Sequence, residues 1–166
     1  APFYLLLARE NTDGALVILG LFVAADGLAS LVSAPFWGKF SDRSSRHVMI
    51  AAGSLAALSG LFLVLVTQAS TALASSNWVY PLFFFVLMVA HSGVRLGRKI
   101  YVIDLTGGNK RTDYVAVSNT AIGIVLLLTG FVGFLTAVIP IWTLIALLSA
   151  MGLAGVFMSA RLPEID

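Results

Sequence analysis

Asp26, His91 and Arg95 are the residues of this 166-residue chain whose types and setting could do chemistry. Each lies inside a long apolar run, where an ionisable side chain costs about 2.5–3.5 kcal/mol on insertion scales. At a 1.5 Å rise per residue, Asp26 falls about 18 Å from the start of its run and His91 about 20 Å from the start of its own. Both depths are near the midplane of a bilayer, and a midplane carboxylate and imidazole are the parts from which a proton relay is built. Arg95 follows His91 at i+4 and Arg98 at i+7, so the three share one helical face. Arg95 stands about 6 Å below His91, within reach of a carboxylate at the depth of Asp26. The expected arrangement is therefore a pair between Asp26 and Arg95 or His91, facing protein rather than lipid. Such a pair either neutralises two buried charges and nothing more, or is broken by protonation or substrate. Arg98 and Lys99 are expected to snorkel to the headgroups.

Other chemistries are poorly supplied. There is no cysteine, hence no disulfide, thiolate nucleophile or Cys-ligated metal, and two histidines far apart in sequence make a poor metal set. No cofactor and no nucleic-acid surface are expected, and no phosphate-binding loop is present. An aspartyl dyad of Asp26 and Asp104 would need adjacent carboxylates, yet Asp104 sits at a helix end, roughly 20 Å from the depth of Asp26.

The elements that must position these residues follow from composition. Hydrophobic residues make up 59% of the chain and charged ones 11%, whereas a soluble domain is about half apolar and a quarter charged. A helix crossing the hydrocarbon needs about 20 apolar residues. Five runs qualify, at roughly residues 14–37, 47–67, 78–106, 115–139 and 141–161. The residues around Phe3 to Ala8 read as the remnant of a sixth. "APFYLLLARE" has no initiator Met, no basic n-region and too few apolar residues for a signal peptide, so the chain is expected to be a piece of something longer. The fold class is all-α, a polytopic transmembrane bundle forming one domain over residues 1–166. Trp37, Trp78 and Trp142 fall at predicted helix ends, as interfacial anchors should. Ala52, Ala56 and Gly60, and Ala146, Ala150 and Ala154, are small-residue ribbons of the kind that let membrane helices approach. Gly123, Gly130 and Gly133 give the fourth span a similar content. Ordinary Ala- and Gly-rich composition explains these patterns equally well.

Short connectors make neighbouring helices antiparallel, so alternate loops share a membrane face. Lys39, Arg43, Arg46, Lys110, Arg111 and Arg161 then fall on one face and only Arg9 on the other. By the positive-inside rule the basic face, with the C-terminus, is cytoplasmic.

The first basic connector is "GKFSDRSSRH", residues 38–47. Gly38 suits a close approach or an unusual dihedral. Asp42 suits accepting backbone N–H groups or standing at a helix N-terminus. Arg43 and Arg46 either pair with carboxylates on moving neighbours or only fix the topology. The stretch resembles the cytoplasmic loop signature of the major facilitator superfamily at Gly38, Asp42, Arg43 and Arg46. It departs at Ser45, where the family usually has Gly, and at His47, where it usually has Arg or Lys. A second stretch, residues 95–123, is similar to the family's junction between the fourth and fifth helix of a half, with Asp104, Arg111 and Asn119 in the corresponding places. "SARLPEID" resembles the family's exit from the last helix into the cytosol.

The resemblance implies the C-terminal half of such a transporter, helices eight to twelve with the end of seven. It implies alternating access by two six-helix halves about a midplane site, a small-molecule substrate, protons as a candidate coupling ion, the bilayer and an N-terminal half as partners, and residence in a bacterial inner membrane. It places His91 and Arg95 on a cavity-lining helix. It also implies a cytoplasmic charge cluster joining Asp42, Arg43 or Arg46 to Asp104 or Arg111, which would hold one conformation closed. The competing readings are a non-transporting membrane scaffold or sensor of the same fold and an intramembrane enzyme.

Overall fold

A computed structural model describes residues 1–106 and 110–164. Along the chain come α1 (Pro2–Asn11), α2 (Ala15–Ser41), α3 (Ser45–Ala69), the single turn α4 (Thr71–Ala74), α5 (Val79–Leu105), α6 (Arg111–Gly130), a 3₁₀ segment (Phe131–Ala137) and α7 (Ile141–Ser159). The chain is all-helical over the described residues, and α2, α3, α5, α6 with its 3₁₀ extension, and α7 are each long and apolar enough to cross a membrane. The protein therefore has the character of an integral membrane protein.

The spans depart from expectation at their ends. Residues 38–41 continue α2 instead of leaving it, so the first basic connector is only a tight turn around Asp42 and Arg43. At 27 residues the helix is about 40 Å long, more than the roughly 30 Å hydrocarbon core, and its last turn can reach the headgroup layer. The expectation for Gly38 is corrected: it lies within the helix with open space at its Cβ position, and among the described residues only Gly14 takes a positive φ, +90°. What Gly38 supplies is a carbonyl, which accepts from Asp42 N–H at 3.3 Å and from Ser41 Oγ at 2.8 Å. Asp42 is likewise not the helix-initiating residue. Ser44 is the N-cap of α3, its Oγ accepting from His47 N–H at 3.3 Å, which is the cap geometry that fixes where a helix begins.

Within the bundle α5 lies between α2 and α3, and α3 between α5 and α7, while α1 bridges α2, α5 and α7 near one end. Association of helices in lipid rests on close packing and interhelical hydrogen bonds rather than on a hydrophobic force, and both are visible here. A Cβ at Gly93 would stand 2.5 Å from the Trp37 indole and 2.7 Å from Ala52 Cβ; one at Gly97 would stand 3.0 Å from the Ser45 carbonyl oxygen. These two glycines let α5 settle on α2 and α3. Trp37 Nε1 donates to the Val89 carbonyl at 2.8 Å, and Ser59 Oγ donates to the Phe83 carbonyl at 3.1 Å.

Two packing expectations are corrected by the same observations. Trp37 is not an interfacial anchor but a core residue, 3% exposed, whereas Trp78 is 71% exposed. On α7 the contact face is not Ala146, Ala150 and Ala154. It is Ser149, Gly152 and Val156, which meet Gly60, Ala57 and Gly53 of α3. Gly123, Gly130 and Gly133 have no neighbour within 4 Å of their Cβ positions among the described residues, and none of the residues of α6 is buried. Its main contact is with α5.

The ends of the bundle sort as the alternation of loops requires. Arg46 at the start of α3 bonds to Ala160 just past α7, and Tyr101 near the end of α5 bonds to Pro163, so these three helix ends share one face, and it is the basic one. At the opposite end Tyr80, Leu63 and Ile141 pack with Leu7 and Ala8 of α1.

Candidate functional site

The polar stripe of α5 lies on the side that the bundle leaves uncovered. His91, Arg95 and Lys99, four residues apart, are exposed, while Ala90, Gly93, Gly97 and Tyr101 on the other side are buried. The division follows from residue size: the glycines and Ala90 are the positions where α2 and α3 can come close, and the long cations are thereby turned away. Arg98, expected on the same face at i+7, is instead offset from the stripe and half-buried, its place in the exposed line taken by Lys99 at i+8, and its Nη1 is enclosed without a hydrogen-bond partner among the described residues.

Asp26 does not pair as expected. It is exposed on α2, and no hydrogen bond or ion pair joins it to His91 or Arg95 among the described residues. The register of the two helices explains this. The rings of Phe22 and Phe84 are 4.7 Å apart, and Asp26 shares with Phe22, Phe84 and Met88 a cavity of about 360 Å³. The α5 residue at the level of Asp26 is thus Met88, seven positions before Arg95, which puts Arg95 about 10 Å farther along the axis. His91 lies within about 5 Å of the expected depth, but hydropathy carried no information on azimuth. The groups that do surround Arg95 are Ser30, Ser33 and Ser92 on one side, in a cavity of about 360 Å³ shared with Lys99, and Ser118 and Asn119 of α6 on the other, in one of about 300 Å³ shared with Arg98 and Lys99.

At the basic end the expected cluster between the two loops is replaced by a different one. Arg46 Nη2 donates to the Ala160 carbonyl at 2.6 Å, and Nη1 lies 3.8 Å from Glu164 Oε2. His47 Nδ1 is 3.4 Å from Glu164 Oε1, and Tyr101 Oη donates to the Pro163 carbonyl at 3.1 Å. Arg111 turns back on α5, donating from Nε to the Ile103 carbonyl at 3.3 Å. Asp42, Arg43 and Asp104 are exposed, and none forms an ion pair among the described residues. Gly107 and Gly108 of the second basic connector, and Ile165 and Asp166 of the tail, lie outside the described residues. The tail residues Ala160, Pro163 and Glu164 escaped the sequence reading, which took "RLPE" only as an exit from the membrane. The available signal was the shared face: Arg46 and the segment after α7 had already been assigned to the same side.

Compared with protein-family models, with curated proteins and with solved structures, the chain gives no match.

Proposed function

We infer that this chain is the C-terminal half of a secondary transporter of the major facilitator type, moving a small solute by alternating access. The observation that carries the reading is the exposed line of His91, Arg95 and Lys99 within a membrane-spanning helix. Facing lipid, a charged group such as Arg95 would cost about 2.5–3.5 kcal/mol near the bilayer centre. A second helical bundle enclosing a polar cavity against α5 removes that cost and supplies a pathway at the same time. Asp26, exposed on α2 and without an ion-pair partner among the described residues, fits the same reading, with its partner supplied from across the cavity. Coupling to protons through Asp26 and His91 is part of the proposal, and the basic end is cytoplasmic.

Solute flux into liposomes by the full-length protein is the direct test. Transport driven by a proton gradient, lost in the Asp26→Asn/His91→Gln double variant, is the expected result; unchanged proton-linked flux in that variant removes the two residues from the coupling. No flux of any small solute favours the scaffold or sensor reading, in which a partner protein covers the stripe. Orientation is checked separately: cysteines placed at Ser44, in the α2–α3 turn, and at Ser75, exposed after α4, should label from the cytoplasmic and the outer side respectively. Labelling of both from one side would overturn the topology.

A further inference from the structure

We propose that the groove between α5 and α6 is a binding site for a phosphate or carboxylate group, held by Arg95, Arg98 and Lys99 with Ser118 and Asn119. That this anion belongs to the transported solute rests on the transport reading above; that it binds does not.

Three positive charges lie within five residues of one helix and line one cavity of about 300 Å³. No carboxylate is paired with any of them among the described residues. The nearest acidic groups in sequence, Asp104 and Asp113, are exposed and make no ion pair among those residues, and Asp26 is about 10 Å along the axis from Arg95. Like charges this close repel, and a cationic or uncharged ligand would leave the repulsion in place. An oxyanion relieves it, and the planar guanidinium fork is matched to two oxygens of a carboxylate or phosphate.

Snorkelling accounts for Lys99, which is exposed, but not for Arg98, whose Nη1 is enclosed and has no acceptor among the described residues. A donor on a charged group left without an acceptor is costly, and because Arg98 lines the same cavity as Arg95 and Lys99, an oxyanion entering there would offer its guanidinium an acceptor. Ser118 and Asn119 complete the site from α6 with neutral donors. Because Arg95 and Lys99 also line the cavity of Ser30, Ser33 and Ser92, the same two cations can follow an anion from one cavity to the other. The volume is at the low end for ligand pockets, about 300–1,000 Å³, which suits a small anion or the charged head of a larger one.

The chemistry is shared by a soluble anion and by an acidic lipid headgroup, and the test separates them. Full-length protein in nanodiscs of phosphatidylcholine alone is titrated with inorganic phosphate and with succinate, with glucose as an uncharged control, and thermal stabilisation is read. A parallel sample contains phosphatidylglycerol and no added anion. Stabilisation by phosphate or succinate, with affinity at least tenfold weaker in Arg98→Gln and several-fold weaker in Ser118→Ala, supports the site and assigns it to soluble anions. Stabilisation by phosphatidylglycerol alone, lost in Arg98→Gln, supports the anion site and assigns it to a headgroup. Arg98→Gln should also raise the melting temperature of the ligand-free protein by removing an unpartnered guanidinium, a change that a merely structural role would reverse. No response to either anion source, or responses unaltered by both substitutions, overturns the proposal. Arg98-dependent binding without flux would keep the site and reject transport, whereas solute flux with no Arg98-dependent response to phosphate, succinate or phosphatidylglycerol would do the opposite.

Discussion

Replacing Trp37 by alanine lowers the stability of the folded bundle by about 3 kcal/mol, the low end of the range for large aromatic-to-alanine changes in a packed core. The same change at Trp78 or Trp142 stays within about 0.5 kcal/mol, as for surface positions away from special features. The low end applies because lipid already solvates apolar surface, so what is lost in a membrane is packing and hydrogen bonding rather than transfer from water. Trp37 is 3% exposed, sits against Gly93, and joins α2 to α5 through its bond to Val89. Trp37→Phe keeps most of the volume and removes the bond, and should cost only about 0.6 kcal/mol, the average for such bonds in a membrane protein. Gly93→Ala alone should cost about 1–3 kcal/mol by overpacking, because its new methyl would meet the indole at 2.5 Å. The double variant should cost clearly less than the sum, since the space vacated by the indole receives the methyl. Reversible unfolding in bicelles measures all four, and strict additivity of Trp37→Ala and Gly93→Ala would mean that the two residues do not share one contact.

Trp37 also marks the limit of what could be read from the sequence. A run of apolar residues gives the length of a span and, with its charged flanks, the side of the membrane on which each end emerges. The first reading survives: α3, expected over residues 47–67, is Ser45–Ala69, and the helix ends at Arg46, Tyr101 and Ala160 lie together at one end of the bundle. The same run says nothing of which side of the helix touches protein, because in a bilayer a helix is apolar all round and the contrast between buried and solvent-facing residues disappears. A tryptophan one turn from the end of a span therefore reads as an anchor whether it faces headgroups or, like Trp37, a neighbouring helix. Ala146, Ala150 and Ala154 were chosen by size and spacing, yet the face that meets α3 is the adjacent one of Ser149, Gly152 and Val156. For Asp26 the level relative to His91 was legible to within about 5 Å, and the azimuth and helix register were not. On α5 the line of His91 and Arg95 was legible, because charge restores the contrast that apolar residues lack, but its third exposed member is Lys99 and not Arg98.

Loss of Arg46 should free the segment that follows α7. In Arg46→Met, which keeps the apolar stem, the residues from Ala160 to Glu164 should become roughly 10–100-fold more susceptible to protease. That is the equivalent of the 1.5–3 kcal/mol or so carried by a hydrogen bond to a charged group. The bond from Arg46 Nη2 falls on the Ala160 carbonyl, one of the acceptors that a helix end leaves without an internal partner and where a positive charge is favoured by the helix dipole. Arg46 is thus a C-terminal cap supplied to α7 by α3. Glu164 contributes less: its contact with Arg46 is 3.8 Å and its side chain is half exposed, so Glu164→Gln should cost at most about 1 kcal/mol. Tyr101→Phe, which removes the bond to Pro163, should cost about 0.5–1.5 kcal/mol. If Glu164→Gln proves as damaging as Arg46→Met, the ion pair rather than the helix-end carbonyl holds the tail. The partner that the loop signature implied for Arg46 gives the complementary check. Arg46 bonds toward α7, and Asp104 makes no ion pair among the described residues, so a double-mutant cycle on Arg46 and Asp104 should be additive within about 0.5 kcal/mol. The cycle on Arg46 and Glu164 should not be, since removing the guanidinium leaves His47 as the one ion-pair partner of the carboxylate among the described residues.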